Sequence, residues 1–278
     1  MASSDAALSI VRRFGLDELF VEPERSGEIA PFESVDPNNE TPYAPEWDDL
    51  VRLFALVRLR RVTTVLEFGC GFSTSVFAHA LAMNRSEHGQ FVGDHLRRSD
   101  PFRLFVVDDM LHYLELTRNR LSGSHRDLAS FHQSDVRMTT FCDRICTDYV
   151  TLPNVCPDFI YLDGPSQSSA LGDINGISTR HMDRLPMACD ILKMEHFLLP
   201  GTLVLVDGRT ANARFLLANL QREWRYEHDK AADVHYFEMI EDPLGKWNRL
   251  QVEYCLGEGW QSRPLKPDYA ELMTGNAR

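Results

Sequence analysis

The sequence predicts an α/β fold of the doubly wound kind, a mostly parallel seven-stranded sheet closed by an antiparallel C-terminal hairpin. Short apolar runs alternate with helix-length amphipathic stretches across residues 46–256. The runs are apolar throughout, as strands covered on both faces are. They also end at Gly69, Asp108, Asp163 and Asp207, on the strand edge where such sheets bind ligands.

Taken in order, residues 1–45 read as a prologue and lid. Residues 6–20 space apolar side chains at helical intervals, and 22–44, rich in Pro, Glu, Asn and Ser, read as loop. Pro45 and Glu46 open a helix carrying Trp47, Leu50, Val51, Phe54 and Val57, with Pro and acid placed as helix starts prefer. Tyr43 and Trp47 are candidate lid residues. Residues 62–68 form the first strand, Gly69-Cys70-Gly71 its turn, and 73–83 a helix. Residues 84–101, polar and holding Gly89, Gly93 and Pro101, read as an inserted loop.

Residues 103–107 are the second strand, ending at Asp108-Asp109 and followed by a helix over 110–121. A weaker third strand over 130–134 precedes Asp135, and 158–162 form a fourth that ends at Asp163-Gly164-Pro165. A helix over 185–197 stops at Pro200-Gly201; the fifth strand, 202–206, ends at Asp207-Gly208; a helix follows over 211–224. Residues 235–240 and 250–256 alternate polar and apolar and read as the closing antiparallel pair. Residues 257–278 form a short polar tail, leaving 46–256 as the ligand-binding domain.

Composition narrows the partners. With 44% hydrophobic and 25% charged residues, the chain is an ordinary globular one, neither disordered nor fibrous. Its net charge of −12 repels phosphate backbones, so nucleic acid is a poor partner. The cysteines, Cys70, Cys142, Cys146, Cys156, Cys189 and Cys255, include no C-x-x-C pair and no zinc-like His/Cys cluster. Cys142 and Cys146, four apart, fit one helical face. Reduced thiols, no signal peptide and no membrane-length apolar run point to a cytoplasmic protein.

The sharpest local signal is Glu67-Phe68-Gly69-Cys70-Gly71-Phe72-Ser73-Thr74, between strand and helix. Glycines there allow a tight turn and close approach of a ligand. A dinucleotide fingerprint would place a third glycine where Thr74 stands, and Glu67 would repel a pyrophosphate but attract a cation.

This segment resembles the first motif, E/D-x-G-x-G, of the class I S-adenosylmethionine-dependent methyltransferases, and the order of elements over residues 46–256 resembles that family's Rossmann-like fold. The resemblance implies that Gly69, Gly71, Ser73 and Thr74 border the methionine and ribose parts of S-adenosylmethionine, with Glu67 at its amino-acid end. It implies that Asp108, or its neighbour Asp109, accepts hydrogen bonds from the ribose hydroxyls, two acceptor oxygens meeting two donors. Asp135 resembles the family's adenine-contacting acid. The stretch Asp158 to Gly164 resembles its fourth motif, placing Asp163 near the transferring methyl group. S-adenosylhomocysteine would be the product.

Methyl transfer needs an aligned acceptor and often a base to take the acceptor's proton. Asp163, Asp207 and His181 are the candidates, and Arg209 with Arg214 is the candidate clamp for an anionic acceptor. Catechol-type members hold a divalent metal on acids at these strand ends, and hard oxygen ligands favour magnesium. Here Gly208 follows Asp207 and Asn212 stands five residues on, so the ligand set is incomplete and no metal ligand is assigned. The chain lacks an N/D-P-P-Y/F motif after the fourth strand, which leaves a small-molecule acceptor, with O-methylation as the expectation. The alternatives are another Rossmann-like transferase of the aminopropyl type and a non-catalytic cofactor-binding module. Acceptor identity and oligomeric state have no signature in the sequence.

Overall fold

A computed structural model describes residues 5–20 and 46–274. Helix α1, Asp5–Phe14, buries Ala7, Ile10 and Val11 and sets Phe14 against Phe54 of α2, Trp47–Leu59, at 5.0 Å between ring centroids. Strand β1 (Thr64–Phe68) is wholly buried, and α3 (Phe72–His95) follows its glycine turn. Next come β2 (Arg103–Asp108), α4 (Leu111–Arg120), the single turn α5 (Gly123–Arg126) and β3 (Ala129–Gln133). Strands β4 (Val136–Phe141) and β5 (Arg144–Tyr149) pair as a separate antiparallel hairpin. The chain returns to the sheet with β6 (Phe159–Leu162), α6 (Asp190–Met194), β7 (Leu203–Asp207) and α7 (Thr210–Leu217). Strands β8 (Trp224–Asp229) and β9 (Val234–Met239), then α8 (Gly245–Cys255) and α9 (Tyr269–Thr274), complete the described residues.

The main sheet has seven strands in the order β3-β2-β1-β6-β7-β9-β8. The first five are parallel; β9 runs antiparallel to β7 and β8 antiparallel to β9. The chain winds outward from β1 through β2 to β3, then restarts at β6 on the other side of β1. That reversal opens a crevice above the carboxyl ends of β1 and β6. Alternate strand residues separate two cores: Val65, Tyr161, Leu205 and Tyr236 pack toward α2 and α3, while Leu66, Leu162, Val206 and Phe237 pack toward α6, α7 and the β4–β5 hairpin.

Several elements differ from the sequence expectation. The loop expected at 84–101 is mostly helix, because its polar residues have tertiary partners. Arg58 on α2 donates to Asn84 Oδ1 at 2.5 Å and to Glu87 at 2.7 Å, while Asn84 Nδ2 donates to the carbonyls of Val57 and Val62. The helix expected over 185–197 shrinks to α6 and a 3₁₀ turn, Glu195–Phe197. The helix over 211–224 ends at Leu217, and Trp224 begins an edge strand.

The closing antiparallel pair is β8 with β9, whereas 250–256 belongs to α8. Asn248, Gln251, Val252 and Cys255 are the buried positions of α8, a helical spacing obscured by its two amides. Cys142 and Cys146 share no helical face; they lie at the tip and in the second strand of the β4–β5 hairpin. All six cysteines are free. Beyond residue 256, Trp260, Leu265 and Leu272 are buried, the last on α9 against the core that α2 and α3 share. Tyr43 and the loop expected at 22–44 lie outside the described residues. Among those residues, no helix is long and apolar enough to cross a membrane.

Candidate active site

The crevice floor is made by two loops in direct backbone contact. Asp163 N–H and Gly164 N–H both donate to the Phe68 carbonyl, at 2.9 and 2.6 Å, and Gly69 N–H donates to the Val107 carbonyl at 2.9 Å. The ends of β1, β2 and β6 are thus joined, and their acids share one crevice. Gly69 takes φ +95°, which a side chain rarely adopts, and a Cβ there would meet Gly164 N at 2.9 Å. A Cβ on Gly71 would instead project into open space.

Glu67 is fully buried beneath the turn. Its Oε1 accepts from Ser73 Oγ at 2.5 Å and its Oε2 from Thr74 Oγ1 at 2.8 Å; Thr74 Oγ1 in turn accepts from Gly71 N–H at 3.2 Å. One carboxylate therefore ties strand, turn and helix start together. Burial pushes its pKa up to about 8 against these two hydroxyl donors, and Asp163 and Asp108 add to the rise. Asp108, also buried, accepts from Met110 N–H at 2.8 Å. Burial raises it to about 6 against that bond, with Asp109 adding to the rise. Burial raises Asp109 as well, opposed by a hydrogen bond to Ser169. The Cys70 thiol, beside Asp108, is pushed up by burial and by that neighbour.

Asp163, just beyond β6, stands beside Arg209 and within the fields of Asp207 and Asp108. Desolvation in the cleft lifts its pKa to about 7, opposed by Arg209 and assisted by Asp207 and Asp108. Its side chain keeps 59% exposure, so water screens part of that penalty. Tyr161 donates its hydroxyl to Asp207 Oδ2 at 2.6 Å. Burial raises Asp207 despite that bond, and Asp49 of α2 reinforces the rise.

The predicted residues fall into separate groups. Glu67, Gly69, Ser73, Thr74, Asp108 and Asp163 converge on the crevice, as the bonds and mutual fields above show. Asp135 is exposed just beyond β3, its carbonyl accepting from Val150 N–H at 2.9 Å. His181 hydrogen-bonds within its own loop: Nδ1 accepts from Asp183 N–H and its carbonyl accepts from Gln167. Neither bond reaches Asp163 or Asp207.

Arg209 donates to the Pro165 carbonyl at 2.8 Å and to that of Asp163, with its Nε 3.8 Å from the Asp163 carboxylate. It therefore braces the loop after β6. Arg214 is exposed and its charge bears on Tyr226 and His235, so the two arginines engage different neighbours. Asn212 is buried with its amide committed, Oδ1 accepting from Ala188 N–H and Nδ2 donating to the Ala188 carbonyl, both at 2.9 Å. It offers no oxygen beside Asp207.

Two participants escaped the sequence reading. Tyr161 lies two residues before Asp163, a period-two signal available in the sequence. Ser169, whose hydroxyl donates to the Ser166 carbonyl at 2.9 Å, lowers the Asp109 pKa from a loop that carries no motif.

The strand order and the crevice at β1 and β6 define the Rossmann-like methyltransferase fold. No protein-family model matches the chain, and no curated protein matches it. Among solved structures it is similar to an O-methyltransferase of Streptomyces achromogenes involved in tomaymycin synthesis, in complex with SAM; identity is 16% over 87% of this chain and 92% of that one, with a TM-score of 0.38. It is similar to an O-methyltransferase from Bacillus cereus in complex with SAH, at 11% identity over 87% and 93% and a TM-score of 0.39. A third is an SAH-bound methyltransferase of Podospora anserina, at 10% identity over 87% and 90% and a TM-score of 0.42. At these identities the likeness concerns the fold and nothing of the site.

Proposed function

We propose that this protein is an S-adenosylmethionine-dependent methyltransferase acting on a small-molecule acceptor, by O-methylation, and that S-adenosylhomocysteine is its product. The observation that carries the reading is the convergence of Glu67, Asp108 and Asp163 around the Gly69–Gly71 turn. Three carboxylates, each raised by burial and by neighbouring acids, form a site that gains from a cation. A pyrophosphate would be repelled there. The open space over Gly71 leaves room for a ligand against the backbone.

When bound, the cofactor supplies an electrophilic methyl group on a sulfonium. Glu67 fixes the turn and lends its charge to the ammonium end. Asp108 accepts from the ribose hydroxyls. Asp163 accepts the acceptor's proton, and its raised pKa sets it near the working range of a general base. Arg209 holds the Asp163 loop in place, and Asp207, held by Tyr161, borders the acceptor. The described part of the prologue reaches the turn, since Phe20 packs edge-on against Phe72 at 5.0 Å.

The test is calorimetric titration of S-adenosylhomocysteine into wild type and Asp108→Ala. Tight binding by wild type and its loss in the variant is the expected result. No heat from wild type at saturating ligand overturns the proposal, and stabilisation by NAD alone would reassign the crevice.

A further inference from the structure

The β8–β9 hairpin carries a second cluster of chemical groups, outside the crevice. His228, Asp233 and His235 each present one donor atom, all within 4.8 Å of one another. They lie at the carboxyl edge of the sheet. His235 pairs with Val206 and Val234 with Asp207, and Gly208 N–H donates to the Asp233 carbonyl at 2.9 Å. Alternation along β9 turns His235 to the face opposite the one Val234 and Tyr236 share, toward α7.

The bonding of the cluster is incomplete. His228 Nε2 is buried and has no hydrogen-bond partner among the described residues. It lies 3.9 Å from Asp233 Oδ1, too far for a hydrogen bond. Ligand atoms around an ion with bonds of about 2.1 Å stand roughly 3.4 Å apart, so a small shift of Asp233 closes this gap. Asp233 is exposed on a turn, its carboxylate held by a 3.2 Å bond from Thr210 Oγ1 that the shift would loosen. His235 Nε2 and Asp233 Oδ1 both meet Thr210 Oγ1, at 2.9 and 3.2 Å, and His228 stacks on His235 with ring centroids 3.9 Å apart, so a shared ion also requires the His228 ring to turn its Nε2 toward them. Tyr226 Oη lies 2.9 Å from His235 Nδ1. A phenol can accept from Nδ1–H, as the outer partner of a metal-bound imidazole does.

We infer that His228, Asp233 and His235 form a divalent transition-metal site, two imidazoles and one carboxylate, of the class that takes zinc or iron(II) in preference to magnesium. The exposed side of Asp233 leaves a coordination position for water or an oxygen ligand. The ion ties β8 to β9 across their turn, beside Thr210 at the start of α7. Arg214 opposes it electrostatically, and Asp233 and the nearby Asp207 offset that charge.

The experiment is equilibrium dialysis of the untagged full chain against zinc and against magnesium, with cobalt(II) as the spectroscopic probe. Wild type should bind about one equivalent of zinc and no magnesium, its cobalt spectrum lacking thiolate charge-transfer bands, and zinc should raise Tm by roughly 5 °C. Asp233→Asn and His228→Gln should each weaken zinc binding at least ~10-fold. Asp233 is exposed, so its variant retains the fold if His228→Gln does not. Absence of stoichiometric binding, wild-type affinity in Asp233→Asn, or a thiolate spectrum locating the ion on cysteine would overturn the proposal.

Discussion

Gly69 and Gly164 meet backbone to backbone across the crevice floor: a Cβ on Gly164 would stand 2.5 Å from Gly69 N and 2.9 Å from the Phe68 carbonyl carbon. Neither side can yield, because each is main chain. Gly164→Ala should therefore cost about 1–3 kcal/mol of stability. Gly69→Ala should cost more, since φ +95° adds backbone strain to the clash. Gly71→Ala, facing open space, should stay within about 0.5 kcal/mol while weakening S-adenosylhomocysteine binding, because the new methyl occupies the ligand's side of the turn. Denaturant melts and calorimetry on the three variants check this.

Glu67 makes the unliganded protein pH-sensitive. Its pKa rises from 4.5 to about 8, so the folded state binds a proton that the unfolded state releases. For an acid raised in this way, the stabilising contribution is full at low pH and declines as pH climbs between these values. Glu67→Gln should flatten that decline and raise stability at pH 8, read from melts across the range. The ligand's ammonium, placed beside Glu67, also drives it to ionise, so wild type should release protons on binding S-adenosylhomocysteine at pH 7. Titration in buffers of different ionisation heat measures that release, which should fall by nearly one proton in Glu67→Gln.

The strand-end acids of this site were legible because a parallel sheet presents its carboxyl ends to one crevice, so Glu67, Asp108 and Asp163 could be placed from strand boundaries alone. Side chains that cross between loops were not. Nothing in the spacing from 163 to 209 shows that Arg209 reaches back to the Asp163 and Pro165 carbonyls. The long α3 was hidden for a related reason: its polar half is held by Arg58, an α2 residue remote in sequence. In α8 the buried positions include Asn248 and Gln251, whose partners, the Pro200 carbonyl and Asp158, lie on other elements.

The base candidates now separate. Asp163→Asn should lower kcat by ~10²–10⁴-fold, the usual contribution of a positioned base. His181→Ala should change kcat less than about threefold, since its hydrogen bonds stay within an exposed loop. Tyr161→Phe should lie between, because it removes the hydroxyl that holds Asp207. Steady-state kinetics on the three variants rank them, and equal losses in Asp163→Asn and His181→Ala would refute the assignment.

Arg209 gives the last prediction its sign. Its charge lowers the Asp163 pKa while burial and the neighbouring acids raise it. A base works when ionised, so wild-type kcat/KM should rise with pH through a limb near pH 7. Removing the guanidinium leaves only the raising influences. Arg209→Ala should therefore shift that limb toward alkaline pH and lower activity most below neutrality. It also frees the Asp163 and Pro165 carbonyls, so part of the loss should persist at high pH as a less ordered loop. Arg214→Ala, whose charge falls on Tyr226 and His235, should leave the limb in place. A limb unmoved in Arg209→Ala would mean that a group other than Asp163 takes the proton.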